Sequence, residues 1–118
     1  MQSCVRAVDY ARAERIFAPD VVGFGTYEGM ATGRLTLRQA QWSHIWPTIR
    51  GFTFRMDALQ CGASGDLAWA ACPWDSTGIL PDGTSFARPG RMTVVLERRV
   101  AVWLAVHTHF SLFPQRIP

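Results

Sequence analysis

Lysine is missing from this chain. All twelve basic side chains are arginine, set against nine Asp and Glu, for a net charge of +3 over 118 residues. The arginines are scattered from Arg6 to Arg116 without a basic block, so nucleic acid is not an expected partner. Base-composition bias in the source genome is the simpler reading of the Lys-to-Arg shift. Long apolar runs are lacking too. None approaches the roughly 18 residues that a membrane helix needs, and Met1–Arg6 lacks the apolar stretch of a signal peptide. The expectation is a cytoplasmic chain with no membrane partner. Cysteine is scarce and unpaired by spacing. Cys4, Cys61 and Cys72 form an odd set without CxxC, which points to free thiols in a reducing compartment. Neither a His-x-Glu pattern nor a Cys cluster accompanies the three histidines, so no metal and no cofactor are expected.

What is present is a hydrophobic, aromatic-rich composition. Nearly half the residues (48%) are hydrophobic, enough for one globular domain over residues 1–118 with a core of its own. Residues 5–17 read as a short helix or a pair of helical turns, stopped at Ala18-Pro19-Asp20. A short strand is expected from Val21 to Tyr27. Thr36-Leu-Arg-Gln39 has the form of a capping box opening a helix that runs to about Ile45 before Pro47. From Gly51 onward the pattern is β. Strands are expected near 52–56, from Leu67 to Ile79, from Ser85 to Arg99 with a break at Pro89-Gly90, and from Val102 to Leu112. Pro81-Asp82-Gly83 supplies a turn. Pro73 and Pro89 predict bulges or edges. Helices followed by a meander of long antiparallel strands argue for an α+β fold with helices covering one face of a curved sheet.

Four stretches carry a resemblance. They are Phe17-Ala-Pro-Asp20-Val-Val, Gly65-Asp66-Leu-Ala68-Trp69, Asp82-Gly83, and the closing pair Gly90–Arg99 with Trp103-x-x-Val106-His107-x-His109-x-Ser111. In this order the chain resembles the SnoaL-like branch of the nuclear transport factor 2-like superfamily, which includes ketosteroid isomerases and polyketide cyclases. The C-terminal motif is also similar to the association domain of calcium/calmodulin-dependent protein kinase II. The resemblance implies a cone: a bent antiparallel sheet around a cavity, closed by helices, whose outer face often forms a homodimer. It implies no single chemistry. The sequence departs from the pattern in a short first helix, with only eight residues before Asp9, and in a final hairpin without Asp-Gly.

In such a cone Trp42, Trp46, Phe54, Trp69 and Trp74 fall on elements that line the cavity. They read either as plain core or as the wall of an apolar small-molecule site. Asp75, next to Trp74, is the candidate proton carrier if indoles desolvate its carboxylate and raise its pKa. The other reading of Asp75 is an exposed residue or a partner for an arginine. Arg91 is a candidate carbonyl or carboxylate ligand, or a structural partner of Asp75. His107 and His109 share parity with Trp103 and Ser111, opposite Phe110. The resemblance to the kinase association domain puts Phe110 in the cavity and favours an interface for the two histidines; a catalytic His109 stays open. Two expectations from different classes follow. One is a binder of an apolar small molecule, with acid/base chemistry of the isomerase, cyclase or dehydratase type. The other is a non-catalytic oligomerisation or ligand-binding module.

Overall fold

The computed structural model describes residues 1–114. Two short helices, α1 (Gln2–Ala7) and α2 (Tyr10–Glu14), open the chain. They are separated where Val8 turns left-handed at φ 53° and the Asp9 carboxylate accepts a hydrogen bond from the Arg12 backbone N–H. Strand β1 (Phe17–Phe24) begins four residues earlier than the sequence suggests. Pro19 does not stop it. The register of β1 slips between Phe17 and Val22, and Pro19, which has no N–H to offer, lies in that slip. A two-residue strand β2 (Ala31–Thr32) folds back on β1.

The helical run at 34–48 is less regular than expected. Helix α3 (Arg34–Leu37) starts from Gly33, not Thr36, and no side chain caps it, so the capping box does not form. A π-helical turn (Arg38–Trp42) follows, then α4 (Ser43–Ile45) and a 3-10 turn (Trp46–Thr48) that holds Pro47. The wide π turn has a consequence. Leu37, Gln41, Trp42, Ile45 and Trp46, which a regular helix would divide between two sides, all line the same cavity.

The sheet consists of β1, β2, β3 (Ile49–Phe54), β4 (Gln60–Ser64), β5 (Leu67–Ile79), β6 (Ser85–Ala87), β7 (Gly90–Arg99) and β8 (Val102–Leu112). Its order is β2-β1-β8-β7-β5-β3, with β4 and β6 also pairing β5. It is a large curved, unclosed sheet in a mixed α+β fold. It is not wholly antiparallel, because β1 runs parallel to β8. The whole chain connects these two strands, so no hairpin dictates their direction. Met56 does not continue the β3 face; it opens a 3-10 turn (Met56–Ala58) and is exposed.

Pro73 causes no slip in the β5–β7 ladder, where it pairs with Arg91. On the other flank of β5 it falls between the end of β4 pairing at Ala71 and the start of β3 pairing at Trp74. The missing N–H therefore coincides with a gap between two neighbouring strands. In the β7–β8 hairpin, Val95 faces His107 while Leu96 faces Ala105, which leaves Val106 as an extra residue. This bulge inverts the side-chain parity towards the turn. Trp103 thus takes the parity of Phe110, not that of His107, His109 and Ser111 as the unbroken alternation suggested.

The core is aromatic. Phe17, Val21, Trp42, Trp46, Phe52 and Trp74 are buried between the concave sheet face and the helices. Trp42 and Trp46 stack with centroids 4.8 Å apart, and Phe17 tilts against Trp42 at the same separation. Such pairs add about 0.5–1.5 kcal/mol each beyond their burial. Helix α1 is short but firmly docked. Its Arg6 Nε donates to the Phe52 carbonyl at 2.8 Å, and the Gln2 side-chain oxygen accepts from the Phe54 backbone N–H at 2.9 Å.

Candidate functional site: an aromatic cavity with a half-buried arginine

Along β5 alternate side chains point to opposite faces of the sheet. Cys72, Trp74 and Ser76 are buried on the concave face, and Asp75 and Thr77 are exposed on the other. The same alternation in β8 puts Thr108 and Phe110 inside and His109 outside. Over the concave face, the helical run at 34–48 and helix α1 leave a partly open cavity of about 40 Å³. That is room for a few water molecules. Its wall is largely apolar and includes Met1, Val5, Ile45, Phe52, Trp74 and Phe110. Met1 and Val5 show that the short first helix still covers one side of the cavity.

Four polar side chains reach this wall: Thr26, Gln41, Arg88 and Thr108. Gln41 holds the loop after β1. Its side-chain oxygen accepts from the backbone N–H groups of Tyr27 (2.9 Å) and Glu28 (2.7 Å), and its amide nitrogen donates to Thr26 Oγ1 at 3.1 Å. A Cβ at Gly25 would collide with this amide, so glycine lets the loop approach it. His44 is exposed and stacks on Tyr27 at 4.4 Å, outside the cavity wall.

Arg88 was not singled out by its type or spacing. It lies between β6 and β7, where its backbone N–H donates to the Ser76 carbonyl at 2.9 Å and its own carbonyl accepts from Ser76 Oγ at 2.7 Å. Its guanidinium donates to Thr26 Oγ1 at 2.8 Å and sits over the Trp74 ring, 5.7 Å from the centroid. Desolvation pulls its pKa below the ordinary arginine value. No Asp or Glu pairs with it among the described residues, whereas Arg38, Arg55, Arg98 and Arg99 each have an acidic partner. A signal was available. Arg88 shares parity with Gly90 and Met92, which face inward, and an arginine on an inward face is unusual. Trp74, a residue of the same wall, has a buried Nε1–H with no hydrogen-bond partner.

The other expected site residues divide cleanly. Trp42, Trp46, Trp74 and Phe110 line the cavity together. Phe54 packs edge-to-face on Phe52, 5.1 Å away, behind the lining. Trp69 is on the convex face, 46% exposed, with its indole across Gly62. Asp75 is also on the convex face, in a two-point ion pair with Arg55 at 2.7 Å for each bond. That guanidinium holds the Asp75 carboxyl below its ordinary range, the reverse of the raised value expected beside indoles. Arg91 is not its partner; Arg91 Nε donates to Ser111 Oγ at 3.0 Å on the convex face. His107 and His109 flank the Phe24 ring edge-on at 5.0 and 5.3 Å. His107 Nδ1 lies 2.7 Å from the Val22 carbonyl, which can only accept, so that nitrogen carries a hydrogen. Among the described residues, no carboxylate or imidazole lines the cavity. Among the described residues, no group of three His, Cys, Asp or Glu side chains is placed to hold a metal ion, and no helix is long and apolar enough to cross a membrane.

Comparison with known proteins is consistent with this geometry. A family model described as a SnoaL-like domain matches residues 2–115. No curated protein matches the sequence. Among solved structures, the chain is similar to a nuclear transport factor 2 (NTF2-like) superfamily protein from Salmonella enterica, at 20% identity and a TM-score of 0.81, covering 97% of this chain and 84% of that one. It is also similar to a ketosteroid isomerase-like protein from Erwinia carotovora, at 13% identity and a TM-score of 0.79, covering 96% and 88%. A third similarity is to the association domain of C. elegans CaMKII, at 17% identity and a TM-score of 0.70, covering 92% and 84%. At these identities the likeness concerns the fold alone.

Proposed function

Because the chain belongs to the SnoaL-like domain family, we propose that it binds a small, largely apolar molecule in the aromatic cavity. The observation that carries this reading is the wall itself, where Trp42, Trp46, Phe52, Trp74 and Phe110 converge with a few polar groups. An apolar pocket with sparse, placed polar atoms is the usual form of a small-molecule site. At about 40 Å³ the cavity is far below the roughly 300–1,000 Å³ of a drug-sized site. This favours a single-ring or short-chain ligand reaching in from the open side over a steroid. Binding is favoured over acid/base catalysis, since the groups expected to move protons, Asp75 and His109, lie on the opposite face of the sheet. The three free thiols favour a cytoplasmic setting.

The test is a thermal-shift screen of single-ring carbonyl compounds against the wild type and Ile45→Trp, which fills the cavity from its helical side. A ligand that binds only the folded protein raises its stability by mass action. Stabilisation of the wild type that is lost in Ile45→Trp supports the pocket; a wild type unmoved by every compound counts against it.

A second reading concerns assembly. The convex face exposes Leu67, Trp69, Arg91, Thr93 and His109 on neighbouring strands, a surface suited to a homodimer. Light scattering at micromolar concentration tests it, and a Trp69→Glu variant is expected to shift any dimer to monomer.

A further inference from the structure

We infer that the ligand of this cavity carries an anionic group, a carboxylate, and that Arg88 receives it. The inference rests on the binding reading above and names the chemical class that this site selects. Arg88 has five N–H donors in a planar fork. Of these, one bond to Thr26 Oγ1 is made inside the protein. The guanidinium is half-buried on an aromatic wall, and no carboxylate neutralises it among the described residues. A cation withdrawn from water without a counter-charge is costly to hold, and a fixed fork is suited to a two-point grip on a carboxylate. The Trp74 ring face under the guanidinium holds it in place while leaving its edge free. Trp74 adds a second, independent sign. Its indole, part of the cavity wall, is buried at 1% exposure with its N–H unsatisfied, a feature uncommon in native proteins. The rest of the wall is largely apolar, so the ligand class is a small aromatic or aliphatic carboxylic acid with its chain against Trp42, Trp46 and Phe110.

The experiment compares benzoate with benzamide, which match in shape and differ in charge, and adds benzene as a purely apolar probe. Binding is followed by thermal shift and by the indole and arginine N–H signals in proton–nitrogen correlation spectra. The wild type is expected to bind benzoate at least about tenfold more tightly than benzamide, the scale of one charge-assisted hydrogen-bond pair. The Arg88 Nε–H signal should move on adding benzoate. Arg88→Gln should erase the preference and Arg88→Lys retain part of it, because lysine keeps the charge without the fork. Equal binding of benzoate and benzamide overturns the anion assignment while leaving the pocket standing. A preference that persists in Arg88→Gln overturns the role of Arg88. Silence towards all three probes removes the binding reading and this inference with it. If Arg88→Gln fails to fold, the wild-type preference and the Arg88 Nε–H signal decide the matter without it.

Discussion

The Trp74 indole occupies the space where a side chain at Gly90 would begin. Gly90 pairs with Trp74 across β5 and β7, and a Cβ there would run into the indole as well as the Ser111 carbonyl. The strand break after Pro89 therefore restarts on the one residue that lets the tryptophan lie flat against the sheet and form the cavity wall. Gly90→Ala is expected to destabilise the protein by about 1–3 kcal/mol, the usual cost of overpacking a core. Gly29→Ala, where a new Cβ meets nothing within 4 Å, is the control and should stay within about 0.5 kcal/mol. Urea midpoints of the two variants provide the check. Equal shifts would mean that the indole does not lie against Gly90.

The β7–β8 turn offers a gain instead of a loss. Val100 and Ala101 both take positive φ, 49° and 64°, as a two-residue hairpin turn of the mirror-image type requires. Valine is poorly suited to that conformation, and the residue is 98% exposed, so packing gives nothing back. Replacing the pair by Val100→Asn with Ala101→Gly is expected to add about 1 kcal/mol and to raise the melting temperature by a few degrees. Calorimetry measures it; a lower melting temperature would argue against this turn geometry.

Acid should weaken the fold through its surface ion pairs. Arg99 holds the Asp20 carboxyl below its ordinary value of 3.8, and Arg55 does the same to Asp75. A carboxyl whose folded pKa is depressed contributes stability that is present above the unfolded pKa and lost as pH falls through the folded one. The melting temperature is expected to stay level near neutral pH and to drop below about pH 4. Asp20→Asn and Asp75→Asn should each soften that drop by a small amount, because both pairs are exposed. Asp75→Asn should leave ligand binding unchanged. A variant that abolished binding would place Asp75 on the cavity side after all.

The strand pattern was readable because its causes are local. Turn residues punctuate the chain from Gly65 onward, and the limits of β5 and β8 match those expected from alternation and glycine or proline placement. The face on which a side chain lies was readable only as far as the alternation was unbroken. The alternation set Phe110 opposite His109, as the intact ladder beyond the bulge at Val106 has it; that Phe110 is the inward one was an implication of the resemblance. Trp103 was misplaced because one unpaired residue inverts parity and leaves no mark in composition.

The amino-acid sequence by itself determined the class of fold, its long strands and most of its turns, since alternation and turn chemistry act over a few residues. Tertiary structure alone decided the site. A π-helical turn swung Gln41 and Trp42 onto one wall, and the pairing of β5 with β3 and β7 put Asp75 outside and Trp74 inside. The meeting of Arg88, Thr26 and Trp74 joins segments 62 and 14 residues apart. No local pattern encodes such a meeting, because it arises only when the curved sheet and the helices over it withdraw all three from water together.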